Sequence, residues 1–271
     1  MSNQELNAVV ATKEELSSRL MILRVVADGW QLPDFKTGQY VALGLPGSAP
    51  RCQLSVVEPA PADPHKLIRR AYSIASSSLT REYMDFCISL VTSGSLTPRL
   101  FALKIGDRLS LSSKITGMFT LDQVPEGKHV VMIATDMGLA PYMSTLSTHL
   151  QCDSSRQVAV LHGAYHSWDL GYRSELLTLQ HLCSNLTYFA IIDSPENEPV
   201  PWSGPTGFVQ ELWLNGYISR AWGFEPTPDN TDIFLCGNPN MIEDMKGLLS
   251  QAGFREHTPH DETGQIHIER F

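Results

Sequence analysis

Arg70, Tyr72 and Ser73 stand close together in the run Arg70-Ala71-Tyr72-Ser73-Ile74-Ala75-Ser76-Ser77. Arg70 offers a permanent planar cation suited to phosphate, Tyr72 an aromatic face with a hydroxyl, and Ser73 a small hydrogen-bond donor. In an extended strand alternate side chains share one face, so Arg70 and Tyr72 point the same way. A barrel strand holding a chance Tyr and Arg would read identically. A second stretch, Gly94-Ser95-Leu96-Thr97-Pro98-Arg99, reads as a loop entering a short helix with Thr97 as N-cap and Pro98 at its first position. Free backbone N–H groups and the positive end of the helix dipole would face a pyrophosphate, and Gly94 would let the backbone approach it. A plain capping box without ligand explains these residues too.

These residues need elements to hold them, and two domains suit a chain of 271 residues. Leu16 to about Asp28 is rich in β-formers and predicts a first long strand closing on Asp28-Gly29. Phe35–Leu45, the Arg70 run and Met84–Val91 continue the pattern, so residues 1–120 are expected to form an antiparallel β-barrel. The stretch from Thr120 to Lys128 is the expected boundary. Beyond it, apolar runs begin at His129, Gln157, Leu186 and Asp232. They alternate with helical segments over Pro141–Leu150, Ser174–Leu182, Phe208–Ile218 and Pro239–Ala252, the last capped by Asn238. This alternation predicts an α/β Rossmann-like parallel sheet over residues 128–271. The turn after its first strand, Ala134-Thr135-Asp136-Met137-Gly138-Leu139-Ala140-Pro141, is where such a sheet takes a nucleotide.

Composition narrows the function. A net charge of −9 disfavours a nucleic-acid partner, whose phosphates need a basic surface. Nothing approaches the roughly 20 apolar residues of a membrane span, and the first residues lack a secretory signal, so a cytoplasmic location is expected. Cys52, Cys87, Cys152, Cys183 and Cys236 are scattered without a CxxC pair, which suits that compartment and argues against a zinc or iron-sulfur site; no metal is expected.

Four ordered features resemble the bacterial-type ferredoxin/flavodoxin-NAD(P) reductases of the FAD-binding ferredoxin reductase superfamily. They are the Arg-x-Tyr-Ser strand, the Gly-x-x-Thr helix start, Cys236-Gly237-Asn238-Pro239 and the terminal aromatic Phe271. The resemblance implies FAD as cofactor at the junction of a barrel and a nicotinamide domain, NADPH or NADH as hydride carrier, and a separate ferredoxin or flavodoxin exchanging single electrons. It implies FAD contacts from Arg70, Ala71, Tyr72, Ser73, Gly94, Ser95, Leu96, Thr97 and Phe271. Thr135, Gly138, Pro141, Tyr165, His166, Arg173, Cys236 and Gly237 would take NAD(P). Ser73 would sit near flavin N5, Cys236 and Glu269 would line the hydride pocket, and Phe271 would stack on the flavin face the nicotinamide must reach. Lys66, Arg69, Arg81, Arg99 and Arg270 could form a basic rim for an acidic redox partner.

The chain departs from the family pattern at the nucleotide turn, where Asp136 replaces Gly and Met137 replaces Thr. Tyr165, Asp193 and Phe208 stand where arginines are usual. No strong NADPH preference is therefore expected. The alternatives are a flavoprotein electron-transfer subunit that keeps FAD without productive nicotinamide binding, an NADH-dependent reductase component of an oxygenase, and a non-catalytic module on the same fold.

Overall fold

The computed structural model describes residues 6–270. By contacts the chain divides into two units. One runs to Thr120 and takes in Ala140–Thr148; the other comprises Leu121–Leu139 and the chain from His149 onward.

The first unit is an antiparallel, barrel-like sheet. Its strands are β1 (Ala8–Ser17), β2 (Leu20–Ala27), β3 (Tyr40–Pro46), β4 (Leu67–Ser73), β5 (Met84–Ser89) and β6 (Arg108–Thr116), in the order β4-β3-β6-β1-β2-β5. The strand expected from Leu16 corresponds to β2; β1, from Ala8, precedes it unexpected, the chain reverses at Ser18-Arg19, and Ser17 pairs with Leu20. The period-2 pattern runs through such a tight hairpin unbroken, so the sequence hid the turn. β4 and β5 form the two edges. Ala75, just past β4, donates to the Asp85 carbonyl of β5 at 2.8 Å and curls the edges together. Met21, Leu23, Val25, Leu43, Phe86 and Ile88 alternate inward and fill the core. The short helix α1 (Thr97–Ala102) buries Leu100 and Phe101 against it.

The second unit has five parallel strands, β7 (His129–Thr135), β8 (Val158–Ala164), β9 (Leu186–Ile192), β10 (Thr231–Gly237) and β11 (Ile266–Arg270), in the order β11-β10-β7-β8-β9. β8 and β9 extend the sheet to one side of β7, β10 and β11 to the other, so strand order reverses between β7 and β10. Nearly every residue of β7, β8 and β10 is buried, as expected of strands covered on both faces. The helices are α2 (Ala140–His149), α3 (Arg173–Leu182), α4 (Gln210–Leu214), α5 (Tyr217–Trp222) and α6 (Pro239–Gln251). The expected single helix over Phe208–Ile218 is broken into α4 and α5 at Gly216, whose φ of 63° is left-handed. α6 matches its sequence signal, with the Asn238 side chain accepting from the Asn240 N–H at 2.8 Å. α2 follows the first strand of the second unit yet groups with the first, where Ser144 Oγ donates to the Ser76 carbonyl at 2.7 Å.

Cys152 and Cys183 are joined in a disulfide. Their separation of 31 residues gave no pairing signal, and β8 and α3 bring them together. No described helix is long and apolar enough to cross a membrane.

Candidate functional site

In the first unit β4 holds the candidate cofactor strand. Edge position leaves Arg69, Arg70 and Ala71 exposed while Tyr72 and Ser73 turn inward. Arg70 Nη2 donates to Ser95 Oγ at 3.3 Å, joining the strand to the loop before α1 across 25 residues. The strand that carries Arg70 and the loop that carries Ser95, both expected to meet FAD, are thus in contact. A Cβ on Gly94 would lie 3.0 Å from the Val91 carbonyl and 3.1 Å from Thr97 Oγ1, so a side chain there would crowd the loop. Burial raises the Tyr72 phenol, and the nearby Arg70 charge partly offsets this.

Two expectations change here. Thr97 is not the N-cap: it is the first helical residue, Leu96 precedes it, and no side chain caps the helix. The Thr97 hydroxyl instead donates to the Val91 carbonyl and accepts from the Val91 N–H, both at 3.1 Å, pinning the loop. Arg99 is not a rim cation. It is buried, clamps Glu58 with both terminal nitrogens at 2.8 and 2.9 Å, and donates to the Ser95 and Gly47 carbonyls. This ties the Pro-rich loop to α1 and holds the Glu58 carboxyl below its usual range. Arg81 is paired with Asp34 and Arg270 with Glu243, while Lys66 and Arg69 remain exposed.

In the second unit a cavity of about 290 Å³ lies beyond the carboxyl ends of β7, β8, β9 and β10, beside the point where strand order reverses. Thr135, Asp136, Tyr165, Asp193, Phe208 and Asp244 are among its walls. Asp136 adopts a left-handed φ of 50°, a conformation that favours Gly and that Asp tolerates better than most residues. Burial, then the charges of Asp169 and Asp193, push its carboxyl up to about 6. His162, fully buried beneath, is lowered to about 4 by desolvation and bonds the Tyr188 hydroxyl at 3.2 Å.

Of the residues expected to take NAD(P), Thr135 and Tyr165 line this cavity. Gly138 and Gly237 serve close backbone packing. A Cβ on Gly138 would lie 2.1 Å from the Cys236 carbonyl, and one on Gly237 2.3 Å from Thr135 Oγ1, which accepts from the Asn238 N–H at 2.9 Å. Pro141 is buried in α2, within the first unit. His166 stacks on Trp168 at 4.3 Å and faces the Ser194 carbonyl at 3.3 Å; the Arg173 guanidinium lies over Trp202 at 5.0 Å. Gln210, Asn240 and Asp244 are cavity residues the sequence did not mark, because they lie on helices whose approach to the strand ends only packing decides.

β10 and β11 pair Cys236 with Glu269, and the Cys236 thiol donates to Glu269 Oε2 at 3.6 Å. Burial and the adjacent carboxylate raise this thiol well above its ordinary value, so it stays protonated. Phe271 lies outside the described residues.

Comparison with known proteins agrees with this geometry. The family model described as the oxidoreductase NAD-binding domain matches residues 132–247. A ferredoxin–NADP reductase of Pseudomonas aeruginosa is 29% identical over 245 residues, covering 87% of this chain and 86% of the relative. A flavodoxin/ferredoxin–NADP reductase of Escherichia coli is 29% identical over 212 residues, covering 78% and 77%. A ferredoxin NADP+ reductase from Neisseria gonorrhoeae, solved with bound FAD and NADP, shares the fold with a TM-score of 0.79 at 23% identity over 97% of each chain. A barrel-like sheet with an Arg-x-Tyr-Ser strand, followed by a parallel sheet with its cavity at the reversal point, is thus the fold of the ferredoxin NADP+ reductase from Neisseria gonorrhoeae, and the chain is similar in sequence to the ferredoxin– and flavodoxin/ferredoxin–NADP reductases.

Proposed function

We propose that the protein is an FAD-dependent oxidoreductase that exchanges hydride with a nicotinamide dinucleotide and single electrons with a ferredoxin or flavodoxin. The observation that carries this reading is the cavity where the parallel sheet reverses, within the stretch matched as an oxidoreductase NAD-binding domain. The same match disfavours a flavoprotein that has abandoned the nicotinamide.

The first unit fits FAD. Arg70, already beside Ser95, would neutralise pyrophosphate, and the crowded Gly94–Thr97 loop would supply backbone N–H groups. Tyr72 would pack against the ring and Ser73 would donate a hydrogen bond to it. Bound FAD supplies the coupling between two-electron and one-electron chemistry. Cys236 stays a neutral thiol beside Glu269, so the pair would line the nicotinamide's approach without adding a thiolate. A redox partner would meet Lys66 and Arg69 on the exposed side of the first unit. We place the protein in the cytoplasm, a location that cell fractionation checks.

The purified protein should be yellow and release FAD on denaturation, and anaerobic addition of a reduced nicotinamide should bleach it. A colourless protein, extracted FMN, or a flavin that neither NADH nor NADPH bleaches overturns this function.

A further inference from the structure

The described walls of the second-unit cavity carry three carboxylates, Asp136, Asp193 and Asp244, and among the described residues lining it there is no lysine, arginine or histidine. The two nearest candidate cations from the sequence, His166 and Arg173, are turned to Trp168 and Trp202 and do not line it. Asp193 is held rather than loose: its N–H donates to the Ala164 carbonyl at 3.1 Å, and Ser194 Oγ donates to its Oδ1 at 2.9 Å. So held, Asp193 stands in the cavity wall. Tyr165 and Phe208 add exposed aromatic surface at the same walls, 60% and 64% accessible, where a purine could pack.

We propose that this cavity selects the dinucleotide lacking a 2′-phosphate, NADH, with the Asp193 carboxylate accepting from the adenosine ribose hydroxyls. The inference rests on the nicotinamide-binding reading above and reaches beyond it, because the relatives at 29% identity are named NADP reductases. A vicinal diol donates two hydrogen bonds and is matched by a carboxylate. A 2′-phosphate brings up to two further negative charges and needs an arginine or lysine in its place. In a partly desolvated cavity already holding Asp136, Asp193 and Asp244, that charge meets only repulsion.

Binding of the adenosine half alone separates this idea from flavin chemistry. ADP-ribose and its 2′-phosphorylated form are titrated calorimetrically into the FAD-loaded protein, alongside anaerobic flavin reduction by NADH and by NADPH. ADP-ribose is expected to bind at least tenfold more tightly, about 1.4 kcal/mol, with NADH favoured in reduction by a similar factor. Asp193→Arg should shift the binding ratio at least tenfold toward the phosphorylated form, and Asp193→Asn should weaken ADP-ribose while strengthening its phosphorylated form. Tighter binding of the phosphorylated form by the unmodified protein overturns the proposal and leaves the nicotinamide reading standing. So does an Asp193→Arg protein of native thermal stability with an unchanged ratio. If neither compound binds and neither nucleotide bleaches the flavin, the nicotinamide reading falls and the proposal falls with it.

Discussion

β4 carries an exposed Arg70 with its guanidinium beside Ser95, whereas the cavity at the ends of the parallel strands presents Asp136, Asp193 and Asp244. Both regions are proposed above to meet a diphosphate, yet their electrostatics are opposite. In the first the cation stands on a strand whose partner loop is pinned by Thr97 and by the Arg99–Glu58 clamp. In the second the turn takes a left-handed φ at Asp136, a shape that suits Gly, while the side chain brings a charge a phosphate would avoid. At the second site backbone geometry and side-chain charge point in different directions, so substitutions should separate them.

The largest expected effect is on the cationic side. Arg70→Ala should weaken FAD roughly a hundredfold, about 2.7 kcal/mol, since in the proposed site it removes a charged hydrogen-bond donor to phosphate. Fluorescence titration of the apoprotein with FAD measures this. Unchanged affinity would remove the contrast between the regions.

On the acidic side the contrast should appear as pH-dependent stability. The Asp136 carboxyl titrates near 6 when folded against an ordinary 3.8, so the folded state prefers it protonated. Its contribution is therefore fully present below about pH 4 and is lost as pH rises through 6. Asp136→Asn should stabilise the protein at pH 7 more than at pH 4, by about 2 kcal/mol after allowance for partial exposure. Urea unfolding of both proteins at the two pH values tests this. A constant difference would mean that Asp136 feels neither burial nor its acidic neighbours.

A smaller effect should follow from restoring the residue type the turn favours. Asp136→Gly relieves the left-handed strain, which costs about 1 kcal/mol, and deletes a repelling charge. Tighter binding of NADH, by roughly tenfold, is expected in calorimetry. Weaker binding would show that the carboxylate contributes to holding the nucleotide.

Least affected should be the helix start. Thr97→Ala forfeits two hydrogen bonds to Val91, at about 1 kcal/mol of stability, and should weaken FAD by less than tenfold because the hydroxyl is already used within the protein. A loss equal to that of Arg70→Ala would make Thr97 a direct ligand and require the loop to open on binding.

The sequence determined the two-part architecture, since a period of two before Thr120 and alternating apolar strands and helices after it leave few ways to bury the chain. It also determined the α6 cap, because an Asn followed by Pro acts on its own next few residues. It placed Asp136, Tyr165, Asp193 and Phe208 where the resemblance leads one to expect glycine or arginine, because that reading needs only residue type and strand position. Tertiary structure decided which charges remain available. Arg99 looked like a free cation until Glu58, distant in sequence, was folded against it. Thr97 looked like a cap until Val91 took its hydroxyl. Cys152 met Cys183, and Gln210, Asn240 and Asp244 reached the cavity, only once helices had packed beside the strand ends. Local hydrogen bonds and periodicity act between near neighbours and are written in order along the chain. A charge, a thiol or a cavity wall takes its meaning from a partner tens of residues away, and only folding brings that partner into reach.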